Sequence, residues 1–420
     1  MVGRTLTSVA IIGGGPGGLG AAIALSQLPF LQVTLYEKSP EPREAGAGIS
    51  LTANAWKVLD LLGASDGVKG GSKSNTQQRN AFTGKLLSVV QQPENAQADS
   101  RGAIRARRTQ LQSALLTRVP HGVIQFDKKL VYVEDLPAGG VRLAFHDQTE
   151  AVADLVIGAD GIQSSVSSPG HHISHRLVVG ESGHVYFSDV DDAAETDPAF
   201  EITVRGYREP ETPGKTVVWG IPATNDRVAS RVEVWTFASR DRVNTLTCKQ
   251  TFDQRIKDAV GVVPEGAWRE FAMFAGPRLN RIVGFDNKVA LIGDASHPLS
   301  GTYLGAFGSG ATFAMEDGWI LARALEYTQA ASRPVQDALE IFNTVRSPYY
   351  ARMYKHLDRV EEKLRQARIE NDNFDHFLQA KINHFLYGDT DFIYKNDINQ
   401  VWEDYVTAEK TGISHAVKEL

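Results

Sequence analysis

Short apolar runs alternate with glycine-rich and helix-like stretches near the beginning of the chain. Residues 8–12 form an apolar run rich in β-branched side chains, which predicts a buried parallel strand. Glycines dominate residues 13–18, and the small and apolar residues at 19–28 predict a helix. A second apolar run at residues 33–36 ends at Glu37. The pattern therefore predicts a strand, a turn, a helix and a second strand, which is the opening unit of an α/β fold.

Two later apolar runs both end in a glycine and an aspartate. Residues 154–161 read as a buried strand that runs into Asp160, and residues 288–295 read as a strand that runs into Asp294. Ligands of open α/β sheets gather at the carboxyl ends of the strands, so both aspartates are candidate binding residues. For either segment alone, an aspartate that simply closes a turn remains an equal alternative.

The middle and the C-terminal part of the chain follow different patterns. The middle, at residues 171–277, reads as strands with aromatic residues among them. The expected strands are residues 185–187, 202–206, 216–221 and 231–237. Residues 347–386 carry apolar side chains at spacings of three and four, which predicts helices.

Composition and charge exclude several classes of protein. The 44 basic and 50 acidic residues give a net charge of −6, which leaves no basic excess for nucleic acid or an anionic membrane. The single cysteine, Cys248, excludes an internal disulfide framework, a dithiol redox pair and a cysteine-rich metal site. No stretch approaches the ~20 apolar residues of a membrane span, and residues 1–7 do not resemble a targeting segment. We expect a soluble cytoplasmic monomer or homodimer, with no metal, nucleic-acid or membrane partner.

The first glycine-rich turn carries the spacing Gly-x-Gly-x-x-Gly at Gly13, Gly15 and Gly18. In this motif the first glycine makes a tight turn, the second admits a pyrophosphate, and the third lets the helix pack on the strand. The pyrophosphate then lies at the positive N-terminus of the helix. Glu37, followed by Lys38, stands at the end of the second strand, where a carboxylate accepts hydrogen bonds from ribose hydroxyls. An acid there favours a free 2′-hydroxyl, and hence FAD or NAD rather than NADP.

These motifs, in this order, resemble the single-component (group A) flavin-dependent monooxygenases, the aromatic-hydroxylase family, and especially its salicylate-hydroxylase-like branch. The resemblance covers about residues 9–323, with gaps in the middle. It implies FAD as the bound cofactor and NADPH or NADH as a transient reductant. The FAD contacts it implies are Gly13, Gly15 and Gly18 at the pyrophosphate, Glu37 and Lys38 at the ribose, Ala47 and Gly48 beside the flavin, Arg108, Asp160, Asp294 on the ribityl chain, and Gly308, Ser309 and Gly310 at the start of a helix that faces the flavin pyrimidine edge.

The resemblance also implies a domain organisation. We expect an α/β (α+β) fold with a Rossmann-like FAD-binding domain, an inserted mixed β-sheet substrate domain and a C-terminal helical segment. The expected boundaries are 1–75, 100–170 and 280–330 for the FAD-binding domain, 76–99 and 171–279 for the substrate-binding domain, and 331–420 for the helical region.

The reaction that the resemblance implies is hydroxylation or epoxidation of an aromatic, indole-like or polyketide-type small molecule. Its partners are O2 and an aromatic or alkene substrate, and a flavin C4a-hydroperoxide transfers the oxygen. Because the cofactor carries the chemistry, we expect no catalytic dyad and assign no catalytic residue. The pocket candidates are Arg205, Trp219, Tyr303 and His297, although aromatic residues on strands are more often core, and His297 fits a structural role.

Departures from the family pattern leave two other functions open. Ser167 stands where the family has an arginine, and residues 302–305 look like an insertion beside the flavin. These features fit a flavoprotein fold that binds or cyclises a ligand without redox turnover. A flavin-dependent halogenase is the other alternative, because residues 219–222 match half of that family's W-x-W-x-I-P string. Val217 stands where its first tryptophan is expected.

Overall fold

A computed structural model gives the architecture of the protein. It describes residues 6–42, 48–68, 71–72, 76–80, 83–90, 104–161, 164–166, 177–186, 201–205, 219–221, 233–237, 268–275, 278–298, 309–370, 375–376, 379–380, 382–383 and 390–411. The helices are α1 (Pro16–Ser26), α2 (Ala53–Leu61), α3 (Arg108–Leu116), α4 (Gly310–Ala330), α5 (Val335–Glu370), α6 (Asp391–Tyr394) and α7 (Ile398–Thr411).

The strands belong to four sheets. A six-stranded sheet has the order β18-β19-β12-β1-β2-β8, formed by β1 (Thr7–Ile12), β2 (Leu31–Tyr36), β8 (Ile124–Gln125), β12 (Leu155–Gly158), β18 (Val283–Gly284) and β19 (Val289–Leu291). One three-stranded sheet contains β9 (Leu130–Asp135), β10 (Val141–Phe145) and β11 (Glu150–Ala153), and another contains β3 (Gly48–Leu51), β4 (Gly71–Ser72) and β7 (Ile104–Arg107).

The central part of the six-stranded sheet is parallel. Ile11 of β1 lies between Ile157 of β12 and Leu35 of β2, and β12 continues the parallel pairing to β19. The carboxyl ends of β19, β12, β1 and β2 therefore meet at one edge of the sheet. This arrangement confirms the predicted α/β class and the strands expected at residues 8–12 and 33–36.

Both faces of this sheet are covered, as the apolar runs in its strands require. Val9 and Ile11 of β1 pack with the helices in the larger apolar core, whereas Ala10 and Ile12 point to the other side. There they meet the β9–β11 sheet, whose inward side chains include Leu143. The domain therefore has three layers, with helices, the parallel sheet and an antiparallel sheet in succession.

Helices α1 and α4 approach each other closely through small residues. A Cβ atom added at Gly318 of α4 would lie 2.8 Å from the backbone of Ala21 in α1. A Cβ atom added at Gly17 of α1 would lie 2.8 Å from the Cβ atom of Ala314 in α4. Because neither glycine has room for a methyl group, the two helices pack almost backbone to backbone.

A seven-stranded sheet has the order β17-β13-β16-β14-β15-β5-β6. Its strands are β5 (Thr76–Arg79), β6 (Leu86–Val90), β13 (Leu177–Tyr186), β14 (Glu201–Arg205), β15 (Trp219–Ile221), β16 (Glu233–Phe237) and β17 (Trp268–Ala275). Strand β15 pairs with β5 at Trp219 and Gln78, so segments far apart in sequence share this sheet. Strand β13 begins well before the start expected at residue 185.

The C-terminal helices pack beside the first turns of α4. Phe313 of α4, Tyr350 and Met353 of α5 and Ile393 of α6 share a separate apolar cluster. Pro348 lies within α5, where its ring nitrogen has no hydrogen to donate to the preceding turn. Within the described ranges, no helix combines the length and the apolar character needed to cross a bilayer.

Candidate active site

The loops that follow β1, β2, β12 and β19 lie side by side at the carboxyl edge of the parallel sheet. The backbone bonds of the sheet continue into them, because Gly13 N donates to Tyr36 O at 2.8 Å and Ile292 N donates to Gly158 O at 2.9 Å. Strand adjacency therefore places the glycine-rich turn next to Asp160, and Asp160 next to the turn that contains Asp294. Sequence segments separated by more than a hundred residues meet here, at the edge where open α/β sheets bind ligands.

The three glycines of the motif have different surroundings. Gly13 has a left-handed φ of +108°, and a Cβ atom there would lie 2.5 Å from the carbonyl oxygen of Ala159. A Cβ atom at Gly18 would lie 1.9 Å from the carbonyl oxygen of Gly13. At Gly15, by contrast, no atom of the described residues lies within 4 Å of the Cβ position. Two glycines thus serve internal packing, while the third faces open space.

The first turn of α1 has backbone donors that lack a partner inside the helix. Gly15 is the N-cap and Pro16 is the first helical residue, and no side chain of the described residues caps this end. The N–H groups of Gly17 and Gly18 have no carbonyl partner inside the helix, since the hydrogen-bonded ladder begins where Leu19 N donates to Gly15 O at 2.9 Å. Free N–H groups and the helix dipole together favour a bound anion.

Glu37, at the end of β2, binds the backbone of the glycine-rich turn through its carboxylate. Its Oε2 atom accepts from Gly14 N at 2.6 Å, and its Oε1 atom accepts from Ser39 N at 2.9 Å. Each oxygen keeps a lone pair for a further donor. Lys38, the next residue, is exposed.

Asp160 and Asp294 both present carboxylate oxygens at this edge. Asp160 Oδ2 accepts from Ser165 N at 2.6 Å, whereas its buried Oδ1 has no partner among the described residues. Burial raises the pKa of Asp160. The Asp294 side chain reaches solvent. Desolvation by the surrounding protein nevertheless raises the pKa of its carboxyl, and the positive charge of Arg108 opposes this rise.

The N-terminus of α4 faces the same region. A Cβ atom at Gly310 would lie 3.9 Å from Asp294 Oδ1, so the first turn of α4 stands beside that carboxylate. Ser309 is its N-cap, yet the hydroxyl makes no capping bond, and the buried Oγ atom has no partner within the described ranges. Buried hydroxyls are normally hydrogen-bonded, so we expect Ser309 Oγ to form a hydrogen bond with a bound ligand.

His297 lies in a buried cluster behind the turn. Its ring stacks on Tyr350 with the centroids 3.4 Å apart, and its Nε2 atom lies 3.9 Å from Asp317 Oδ2. Burial, and secondarily the charge of Arg346, hold the pKa of His297 well below its usual range, so the ring is neutral. Asp317 accepts from Gly293 N at 2.9 Å.

Asp317, Arg346 and Tyr350 are residues that the sequence analysis missed. The only local signal was an acidic pair, Glu316 and Asp317, in a helix whose other buried residues are mostly apolar. Their basic partner lies on the next helix and carries no motif of its own. No three His, Cys, Asp or Glu side chains form a metal-binding group in the part of the chain that the structure describes.

Several predicted site residues are placed only in part. Gly48 begins β3, and Arg205 and Trp219 lie in β14 and β15, whose side chains fall outside the described structure. Ala47, Tyr303, Gly308, Ser167 and residues 302–305 lie outside the described residues altogether.

The parallel sheet, the glycine-rich turn and the free helix N-terminus define a dinucleotide-binding α/β protein. The model of the FAD binding domain family matches residues 6–354. The chain therefore belongs to this family, and FAD is its cofactor.

Similar proteins agree with this assignment. A salicylate hydroxylase of Pseudomonas putida is 25% identical over 393 residues, which cover 82% of this chain and 83% of that enzyme. The FAD-dependent monooxygenase SAT7 of Stachybotrys chartarum is 26% identical over 97% of this chain and 92% of its own. The structure of Klebsiella pneumoniae HpxO, complexed with FAD and uric acid, shares the fold with a TM-score of 0.67 and 21% identity, over 94% of this chain and 96% of that one. The predicted enzyme class, an FAD-dependent monooxygenase, is confirmed, and NAD(P)H is the usual reductant of this class.

Proposed function

We propose that this protein uses NAD(P)H and O2 to hydroxylate or epoxidise an aromatic, indole-like or polyketide-type small molecule. For hydroxylation, substrate, O2, NAD(P)H and a proton give the hydroxylated product, NAD(P)+ and water. The similar proteins, a salicylate hydroxylase among them, support an aromatic substrate. The requirement for NAD(P)H favours a cytoplasmic location, and we propose a monomer or a homodimer.

One observation carries the proposal. Among the described residues, four features occur at one edge of the parallel sheet: the open space at Gly15, the uncapped start of α1, and the atoms Asp160 Oδ1 and Ser309 Oγ without a hydrogen-bond partner. An extended dinucleotide has an anionic centre and hydroxyl-rich flanks, and this edge offers N–H donors in its middle and carboxylates on either side. The residues present therefore fit FAD.

Each group has a proposed partner in the cofactor. The first turn of α1 holds the pyrophosphate, since its N–H groups and dipole favour negative charge. Glu37 accepts from the adenosine ribose through its remaining lone pairs. Asp294 accepts from hydroxyls of the ribityl chain, with Arg108 close enough to lower the energy of its charged form.

The start of α4 faces the flavin ring in this arrangement. FAD, once reduced, supplies the electrons that activate O2 for transfer of one oxygen atom. The N-terminus of α4 lowers the energy of negative charge on the ring beside it, and Ser309 Oγ, which no described residue contacts through a hydrogen bond, can bond to the cofactor there. Arg205 and Trp219 remain the proposed pocket residues on the seven-stranded sheet.

The first test is NAD(P)H consumption in air by the FAD-loaded protein, with and without a panel of phenols, aromatic carboxylates and indoles. We expect at least one compound to stimulate consumption well above the basal rate, and its product to carry one ¹⁸O atom from ¹⁸O2. A bound flavin that neither nicotinamide reduces, even without oxygen, contradicts the proposal. A chlorinated product that requires chloride would indicate a halogenase, and conversion without oxygen incorporation would indicate the non-redox alternative.

A further inference from the structure

The turn that carries Asp294 is fixed from behind by a buried polar cluster. The cluster consists of His297, Glu316, Asp317, Arg346 and Tyr350, each no more than 3% exposed. Two of these residues lie on α4, two on α5 and one in the turn itself. The reaction proposed above uses none of them directly.

Gly293 is the point where the cluster reaches the turn. Its backbone has a left-handed φ of +57°, and its N–H group donates to Asp317 Oδ2 at 2.9 Å. Its carbonyl oxygen accepts from the N–H groups of Ser296 and His297, at 2.9 and 3.0 Å. Both polar groups of this one residue are therefore occupied, and the direction in which the chain enters Asp294 is fixed.

Asp317 is in turn held by α5. Its Oδ1 atom accepts from Arg346 Nε at 2.6 Å and from Tyr350 OH at 2.7 Å. Arg346 Nη2 also donates to Tyr350 OH at 3.0 Å and to Glu316 Oε2 at 3.2 Å. These bonds fix both oxygens of a fully buried carboxylate, so Asp317 has a single orientation toward Gly293.

The attraction between the buried charges does not by itself explain this arrangement. A buried ion pair is often no better for stability than apolar residues of similar volume. An apolar residue in place of Asp317, however, would leave the N–H group of Gly293 buried without a partner. The carboxylate is thus suited to fix a backbone position, which an apolar core would not do.

We infer that Asp317, oriented by Arg346 and Tyr350, is a positioning residue that holds Gly293 and so sets the carboxylate of Asp294 against the cofactor. The inference rests on the FAD placement proposed above. Asp317 acts through the backbone of Gly293 and does not itself contact the reacting atoms.

The test compares two adjacent tyrosines on α5. Tyr350→Phe removes the hydroxyl that orients Asp317 but keeps the ring that stacks on His297. Tyr349→Phe is the matched control, because it removes a hydroxyl that donates to Phe392 O at 3.3 Å, away from the turn. FAD is titrated into each full-length apoprotein by quenching of its fluorescence, and visible circular dichroism of the bound flavin reports its surroundings.

We expect Tyr350→Phe to raise the Kd for FAD by about 3- to 10-fold and to change the flavin dichroism, while Tyr349→Phe matches the wild type. Asp317→Asn, where it folds, should raise the Kd by about 10- to 100-fold. Equal Kd values and spectra for the two tyrosine variants, whatever their melting temperatures, overturn the inference but leave the proposed function intact. A wild-type apoprotein that does not bind FAD overturns both.

Discussion

The glycines of the glycine-rich turn differ in whether a methyl group would fit at the Cβ position. Gly15 has φ −74° and ψ 178°, a conformation that alanine adopts freely, and its Cβ position is open among the described residues. The fold should therefore accept Gly15→Ala. Alanine is a poorer N-cap than glycine by about 1 kcal/mol. Alanine also lowers the conformational entropy of the unfolded chain, which stabilises the fold by about 0.4–1 kcal/mol. We expect little net change in apoprotein stability.

The substitution Gly15→Ala should instead weaken the binding of FAD. The new methyl group occupies the space through which the pyrophosphate would approach the N–H groups of the first turn of α1. Loss of one hydrogen bond to a charged group costs about 1.5–3 kcal/mol, which corresponds to an increase of about 10- to 150-fold in Kd. Fluorescence titration of apoprotein with FAD measures this directly.

Two further glycine variants serve as comparisons for Gly15→Ala. Gly284→Ala adds the same methyl group on β18, at a Cβ position that no described residue approaches within 4 Å and that lies away from the carboxyl edge of the parallel sheet, and it should change neither Kd nor melting temperature. Gly18→Ala forces a carbon to within 1.9 Å of Gly13 O, so the turn must move by more than 1 Å. Such overpacking costs about 1–3 kcal/mol or more, and the melting temperature should fall.

The outcomes separate the two parts of the reasoning. If Gly15→Ala binds FAD as tightly as Gly284→Ala does, the glycine-rich turn does not hold the pyrophosphate. If Gly15→Ala instead has as low a melting temperature as Gly18→Ala, other atoms occupy the Cβ position of Gly15 and the turn has no open space there.

Buried polar groups at Glu316, Arg346 and Ser309 should affect stability and FAD binding in measurable ways. Burial raises the pKa of Glu316 to about 7, so the folded protein keeps a proton there that the unfolded chain releases above pH 4.5. Urea titrations should show this contribution, about 3 kcal/mol, fully present below pH 4.5 and lost as the pH rises through 7, and absent in Glu316→Gln. Arg346→Ala leaves the buried carboxylate of Asp317 without its cationic partner and should cost about 3–5 kcal/mol, whereas Arg281→Ala breaks an exposed pair with Glu340 and should cost at most about 1 kcal/mol. Ser309→Ala should raise the Kd for FAD by about 10-fold without lowering the melting temperature of the apoprotein.

Each of these predictions has a result that would contradict it. Parallel pH profiles for wild type and Glu316→Gln would mean that Glu316 is ionised in the fold. Equal costs for the two arginine variants would mean that the Arg346 cluster is hydrated. A destabilised Ser309→Ala apoprotein would mean that the hydroxyl already has an internal partner.

The cofactor turn could be predicted from sequence because its constraints are local. The residue types at Gly18 and Glu37 follow from contacts within one strand–helix–strand unit, and Gly13 has a left-handed φ of +108° that by itself favours glycine. Asp160 and Asp294 were predictable for a related reason, since any residue that directly follows a buried parallel strand lies at the same edge.

The cluster behind Gly293 could not be predicted in this way. Asp317 meets Arg346 across two helices, and neither residue type signals a partner 29 positions away. His297 shows the same limit, because its place in the sequence near Asp294 favoured a structural role but did not indicate which residues it would contact. Its stacking on Tyr350 of α5 depends on how the helices pack.

The close contact between α1 and α4 also has a consequence for synthesis on the ribosome. Helix α4 follows α1 by roughly 280 residues, so at about 5–20 residues per second it emerges about 15–60 s later. Until then Gly17 and Ala21 lack the helix that covers them, and β12 lacks its neighbour β19. Capture of FAD must therefore follow translation of residue 310, and a nascent chain stalled before that point would present an uncovered apolar face to other proteins.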